Sequence, residues 1–378
     1  MSLFDDAAPA ADAAPADSGR RRFGRPGVGV WALAVALVAL LVLTFLPTAY
    51  VIQGQGPVVN TLGTAENADG EEVPLISISG AETFPAEGSL DLTTVQVRGN
   101  REQTPSWFEL AMAWFDSSKA VLPIEQIFPE GTTVEQRNEE SAALMVDSQK
   151  EATAAALTEL GYDVEPHVSV YGFSEDSPAA GVLEVDDRFV SAEGRPIETT
   201  QQLREVINSL GGDPVTIVVR RDGEEREVSV TPTETTVDGE TLWLIGITTA
   251  HDYDFPIDVT IQLDRIGGPS AGQMFALGII DTLTPGELTG GEHIAGTGTI
   301  DAAGAIGPIG GIRQKLYGAQ DAGADWFLAP ATNCDEVVGH VPGDLRVVSV
   351  ETLEQSLAAL EAISSGEGAD DLATCTTG

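Results

Sequence analysis

From Val28 to Leu46 the chain reads VGVWALAVALVALLVLTFL, nineteen residues without a charge. An apolar run of that length matches a bilayer core, so a single transmembrane helix is predicted over residues 28–48. The Ala-, Pro- and Asp-rich residues 1–27 before it read as a disordered tail. Arg20, Arg21, Arg22 and Arg25 flank the run and favour a cytoplasmic N-terminus, with the remainder of the chain outside the cytoplasm. A cleaved signal peptide is the competing reading, but the run exceeds the usual apolar region and no A-x-A-like site follows.

Beyond the run the pattern shortens. Residues 51–135 alternate β-like stretches (Val51–Ile52, Leu75–Ser79, Leu92–Val97) with Gly-, Pro- and acid-rich breaks, which predicts a β-rich region. A helix is expected at Ser106–Phe115, ahead of the turn Pro129-Glu130-Gly131. A helical pattern from Glu139 to Leu160, closed by Gly161, predicts a connecting helix over 136–161. Residues 162–235 have the punctuation of a small module: the β-like HVSVYGF, the turn SEDSPAAG and an amphipathic helix from Thr199 or Thr200 to Leu210. The strands PVTIVVRR and REVSVTP then pair across Asp222-Gly223.

In the last third, Val259, Ile261 and Leu263 alternate with polar residues and predict a half-buried strand. Gly267-Gly268-Pro269-Ser270-Ala271-Gly272 follows, leading into AGQMFALGIIDTL, apolar on nearly every side and therefore a buried helix. Ser270 thus stands at a helix start, where free N–H groups and the dipole favour a developing oxyanion. The plainer reading is that Ser270 only caps the helix. A second helix is predicted from about Ile312 to Ala322, after Gly310-Gly311. At about 100° per residue, Lys315 falls in the arc of Ile312, Leu316 and Ala319, while Arg313, Gln314, Gln320 and Asp321 take the opposite side. A lysine on a buried face loses its proton readily and can serve as a general base; a lysine snorkelling at the helix edge is the alternative.

Composition sharpens this. The chain holds 19 Lys+Arg against 59 Asp+Glu, a net charge of −40, and only Lys119, Lys150 and Lys315 are lysines. The four basic and four acidic residues of the N-terminal tail cancel, so the imbalance belongs to the part beyond Tyr50. Such a surface repels phosphate backbones and excludes nucleic acid as a partner. Four scattered histidines and the absence of C-x-x-C point away from a metal site, and no cofactor is expected. Cys334 and Cys375 lie in the outer part, where a disulfide tying the C-terminal tail, 366–378, back to the last domain is expected.

Three chemistries compete for Ser270. GGPSAG lacks the G-K-[ST] ending of a phosphate-binding loop, and G-x-x-x-x-G-K-[ST] occurs nowhere in the chain, so ATP is not expected. Gly268-x-Ser270-x-Gly272 fits a nucleophile elbow, for which His293 or His340 would be needed as base. The third is a Ser–Lys dyad, with Lys315 taking the proton of Ser270 and the backbone near Gly268 and Ala271 holding the oxyanion.

The motifs Gly268-Pro269-Ser270-Ala271-Gly272, Ala295-Gly296-Thr297-Gly298-Thr299-Ile300 and Gly307-Pro308-Ile309-Gly310-Gly311-Ile312-Arg313-Gln314-Lys315 resemble the proteolytic domain of Lon proteases, over residues 245–365. Residues 162–235 resemble a PDZ domain through Ser177-Pro178-Ala179-Ala180-Gly181, Asp186-Asp187-Arg188-Phe189-Val190 and the closing hairpin, with Asp186 where that family has Gly. The combination is similar to membrane-bound, PDZ-containing Lon-like proteases. The resemblance implies an α/β (α+β) fold with the PDZ-like module inserted, Ser270 as nucleophile, Lys315 as base and Thr297 as a supporting hydroxyl. It departs at Gly267 and Thr299, where Lon domains often carry acidic residues. It implies an ATP-independent serine endopeptidase acting on extended or unfolded polypeptides, and a homo-oligomer, on the Lon pattern a hexamer. A non-catalytic peptide-binding adaptor is the alternative from another class.

Overall fold

The computed structural model describes residues 27–66, 70–85, 87–129, 131–237, 240–263 and 266–376. The tail expected over 1–26 and its arginines lie outside them. The apolar run folds as helix α1 (Val28–Phe45), with its large side chains exposed, Trp31 at 64%. The helix stops short of the expected 28–48 because Leu46, held extended before Pro47, leaves the helical region. Its 18 residues reach about 27 Å, under the ~30 Å of a hydrocarbon core. Among the described residues no helix is long and apolar enough to cross a membrane, so the fold does not support the expected span.

The next elements are strands β1 (Tyr50–Asn60), β2 (Ile76–Ser79) and β3 (Ser89–Arg98), helix α2 (Trp107–Trp114) and strand β4 (Ala120–Pro123). Helix α3 (Val134–Glu159) follows, its start fixed by a reciprocal cap between Thr133 and Gln136. Gly161, at φ +81°, supplies the left-handed turn that ends it.

The PDZ-like module consists of β5 (Glu165–Phe173), β6 (Arg188–Ala192), helix α4 (Thr200–Ser209), β7 (Val215–Arg221), β8 (Glu224–Val230) and β9 (Ile247–Asp254). Its sheet runs β8-β7-β6-β5-β9, so the module closes only with a strand beyond residue 235. Asp186 takes φ +70°, the conformation for which Gly is suited. The adjacent Asp187 is buried and receives two hydrogen bonds of 2.6 Å from Arg221, which pins the β7–β8 hairpin to the turn before β6.

The chain then adds β10 (Asp258–Ile261), paired with β2, and helix α5 (Gly272–Leu283). Strand β11 (His293–Gly296) is followed by the small hairpin β12 (Thr299–Ile300) and β13 (Ile306–Gly307). Helix α6 (Ile312–Asp321), β14 (Trp326–Pro330), β15 (Arg346–Val350) and helix α7 (Leu353–Ser365) complete it. One mixed sheet, β15-β14-β11-β3-β1-β4, unites both ends of the chain. Its β15, β14, β11 and β3 are parallel, and β3-β1-β4 antiparallel. The region expected as a separate β-rich part over 51–135 is therefore half of the sheet that carries the Ser270 segment. Alternation divides the sheet's faces: Ile294 and Leu328 pack with Met274 and Phe275 of α5, while Ala295 and Phe327 pack with Ile312 and Leu316 of α6.

Candidate active site

Helices α5 and α6 lie on opposite faces of the sheet, and their N-terminal parts meet beyond the end of β11. Two close approaches make that possible. A Cβ on Gly296, the last residue of β11, would stand 2.5 Å from Met274 Sδ, and one on Gly272 would stand 2.9 Å from both Ile300 Cγ2 and Ser148 Oγ. Glycine lets α5 settle against the strand end, the hairpin and α3 together.

Ser270 is half-buried at the entrance to α5. The N-cap is Ala271, with no side-chain cap bond, so Ser270 does not serve as the cap. Lys315, in the first turn of α6, is 1% exposed, which removes the snorkelling alternative. Its Nζ donates to Ser270 Oγ at 2.7 Å and to Thr297 Oγ1 at 2.8 Å. Burial lowers its pKa from 10.5 to about 7. Thr297 is fully buried and donates to the carbonyl of Ser270 at 2.9 Å, and the Gly298 amide donates to the same oxygen at 3.0 Å. The backbone of Ser270 is thus held from one side while its hydroxyl faces the amine.

The other side is held by α3. The Gly268 amide donates to Ser141 O at 2.8 Å, and Ser148 Oγ donates to Pro269 O at 3.0 Å. This corrects one expectation: the Gly268 N–H is spent on α3 and is not available to an oxyanion. The amides of Ser270 and Ala271, at the N-terminus of the twelve-residue α5, have no acceptor among the described residues and are the donors left for that task. The departure at Gly267 has a physical reason too. A Cβ there would lie 2.6 Å from Ser141 Oγ, so α3 fills the space an acidic side chain would need. Sequence reasoning missed Ser141 and Ser148; on α3 the first is half-buried and the second buried, and neither carries a motif.

The histidines are engaged elsewhere. His293 Nε2 meets Asp91 Oδ2 at 2.6 Å, and His340 Nδ1 faces Val338 O at 3.1 Å, so neither acts on Ser270 as an elbow hydrolase would require. Cys334 and Cys375 form a disulfide between the segment after β14 and the C-terminal tail. Among the described residues no cluster of His, Cys, Asp and Glu could hold a metal ion.

A family profile described as the Lon protease (S16) C-terminal proteolytic domain matches residues 262–362, and a PDZ domain profile matches residues 142–231. A Lon protease of Campylobacter concisus is 27% identical over 207 residues, 52% of this chain and 25% of that protein. Lon protease 2 of Herpetosiphon aurantiacus is 37% identical over 108 residues, 27% of this chain and 13% of its own length. The chain thus spans a quarter or less of these relatives. A solved PDZ domain of an SdrC-like protein from Listeria monocytogenes is 28% identical, covers 22% of this chain and 85% of its own, and superposes with a TM-score of 0.20. What the chain contains is a Lon-type proteolytic domain, of the serine peptidases, together with a PDZ domain.

Proposed function

We propose that the protein is an ATP-independent serine endopeptidase with Ser270 as nucleophile and Lys315 as general base, cleaving extended or unfolded polypeptides. The observation that carries this is the 2.7 Å contact between Lys315 Nζ and Ser270 Oγ, made by a buried amine whose pKa is lowered to about 7. In its neutral form the amine donates to Thr297 and accepts the Ser270 proton as Oγ attacks the scissile carbonyl. The amides of Ser270 and Ala271 stabilise the oxyanion, and the resulting ammonium protonates the leaving amine. The same lysine, neutral again, activates the water that hydrolyses the acyl-enzyme.

The full chain, incubated with unstructured casein without ATP, is expected to cleave it, and Ser270→Ala and Lys315→Ala to abolish cleavage while circular dichroism stays unchanged. Cleavage by Ser270→Ala at the wild-type rate would overturn the reading. ATP independence is part of this proposal, and the same assay run with and without ATP tests it.

We further propose that α1 holds the protein at a membrane with the catalytic part outside the cytoplasm. The exposed apolar side chains of α1 and the Cys334–Cys375 bond, suited to an oxidising compartment, support that placement. By resemblance to Lon domains the working form is a homo-oligomer, a hexamer, and the PDZ module binds polypeptide by strand addition.

A further inference from the structure

Beyond Leu46, ten large apolar side chains are exposed among the described residues, and five of them stand together: Trp107, Phe108, Met112, Trp114 and Phe115. They belong to α2 and the residue that follows it. Trp114 is 67% exposed and Phe115 92%. Helix α2 is seated through Leu110 and Ala113, which are buried with Ile52 of β1. At about 100° per residue the exposed set spans an arc of about 160°, turned away from those two. The one charged residue of the helix, Glu109, is engaged at its N-terminus. There Glu109 Oε2 accepts from the Ser106 amide at 2.8 Å, and Ser106 Oγ accepts from the Glu109 amide at 3.3 Å. A helix apolar on nearly every side belongs under a cover.

The place of α2 in the chain points to that cover. Helix α1 ends at Phe45, and the buried Thr48 just after it is bonded to the segment that opens α2. The Thr48 amide donates to Thr104 Oγ1 at 3.2 Å, and its hydroxyl donates to Pro105 O at 2.8 Å. The two helices are therefore neighbours in space, and the aromatic face stands at the level where α1 ends. A bilayer has an interfacial layer about 5–7 Å deep on each side of its hydrocarbon core. Helix α1 is about 3 Å shorter than that core, so the apolar surface of α2 takes over where α1 runs out.

We propose that α2 lies in the interfacial layer of the bilayer that α1 enters, with Trp107, Phe108, Met112, Trp114 and Phe115 among the headgroups and upper acyl chains. The inference rests on the membrane placement of α1 proposed above. Aromatic side chains suit that layer, and tryptophan adds an N–H for the polar side of it. The surface bound is a zwitterionic one. Lys119, close after α2, is engaged with Asp116 at 2.7 Å, and a chain of net charge −40 is repelled by anionic headgroups. A second copy of the chain would have to reach this face inside the headgroup layer. Because α2 rests on β1, a strand of the sheet that also holds β11, the contact fixes how the Ser270 domain faces the membrane.

The test uses the full chain in phosphatidylcholine vesicles, with lipid brominated high or deep in its acyl chains as a quencher of tryptophan. Trp31→Phe leaves Trp107, Trp114, Trp243 and Trp326. High bromine is expected to remove about a third of their emission, and deep bromine less. Adding Trp107→Phe and Trp114→Phe is expected to cut that loss about three-fold. Phosphatidylglycerol in place of part of the lipid is expected to leave the quenching unchanged. In a separate chain with Trp107→Phe and Trp114→Phe alone, Trp31 reports on α1 through deep bromine. Quenched Trp31 with unquenched Trp107 and Trp114 would overturn the proposal and leave the placement of α1 intact. Unquenched Trp31 removes that placement, and α2 then stands or falls on Trp107 and Trp114 by the same measure. Quenching that needs phosphatidylglycerol would overturn the zwitterionic surface. Unquenched Trp107 and Trp114, with a lower sedimenting mass in Trp114→Ser, Phe115→Ser, would make the face a contact between copies and overturn the proposal.

Discussion

In its proposed role Lys315 acts as a base only while its amine is uncharged, and burial among apolar neighbours brings that state within reach near neutrality. Turnover should therefore rise with pH through a midpoint near 7, measured as kcat on a reporter peptide from pH 5.5 to 9. The same shift has a cost in stability. The folded pKa lies below the unfolded one, so between about 7 and about 10.5 the unfolded chain binds more protons. Stability falls as pH falls through that window, by up to about 1.4 kcal/mol per unit, and is flat below it. Lys315→Met should thus be inactive and more stable than wild type, with an advantage in urea melts that widens from pH 10 to pH 7. Thr297 contributes otherwise: its hydroxyl accepts from the amine and donates to Ser270 O. Thr297→Val keeps the volume and removes both bonds, and kcat should drop about ten-fold with KM little changed.

Among the elements, α6 has the strictest start. Gly311 has φ +72°, and a Cβ there would stand 2.8 Å from Val95 Cγ1 of β3. Gly311→Ala should cost about 1–2 kcal/mol in backbone conformation alone, more once the contact with Val95 is relieved. The displacement falls on the turn that carries Lys315. Casein cleavage should fall further than the loss of stability in urea melts explains. Helix α3 has the opposite character: its sequence is mostly Ala, Glu, Gln and Ser, yet its small residues allow the Ser270 loop to lie against it. The helix was legible from its apolar spacing and the glycine that ends it. Its hold on Gly268 and Pro269 was not, because two serines among many carry no pattern that names a partner more than a hundred residues away.

For the whole molecule, the Cys334–Cys375 bond closes a separation of 41 residues. Chain-entropy reasoning for such a loop gives at most about 4 kcal/mol of stabilisation. The paired Cys334→Ser, Cys375→Ser variant should melt several degrees lower, measured by calorimetry, and wild type in dithiothreitol should follow it. Neither sulfur touches Ser270 or Lys315, so kcat at 25 °C should hold.

The chain's own pattern was enough for the helix at 271–283, the buried stripe of the helix bearing Lys315, the module's hairpin and the two residues on which the chemistry is proposed. Those are local facts, written in spacing of 3.6 and 2 and in glycine placement. It was not enough for the union of β1, β3 and β4 with the later strands, for the module's closing strand, or for the loss of the Gly268 amide to α3. Each of these depends on pairing between distant segments, where backbone groups bond without regard to side-chain identity. The lone buried lysine could be picked out from the order of residues; that its amine stands 2.7 Å from a serine across the sheet was decided by the packing of α5 and α6 on opposite faces.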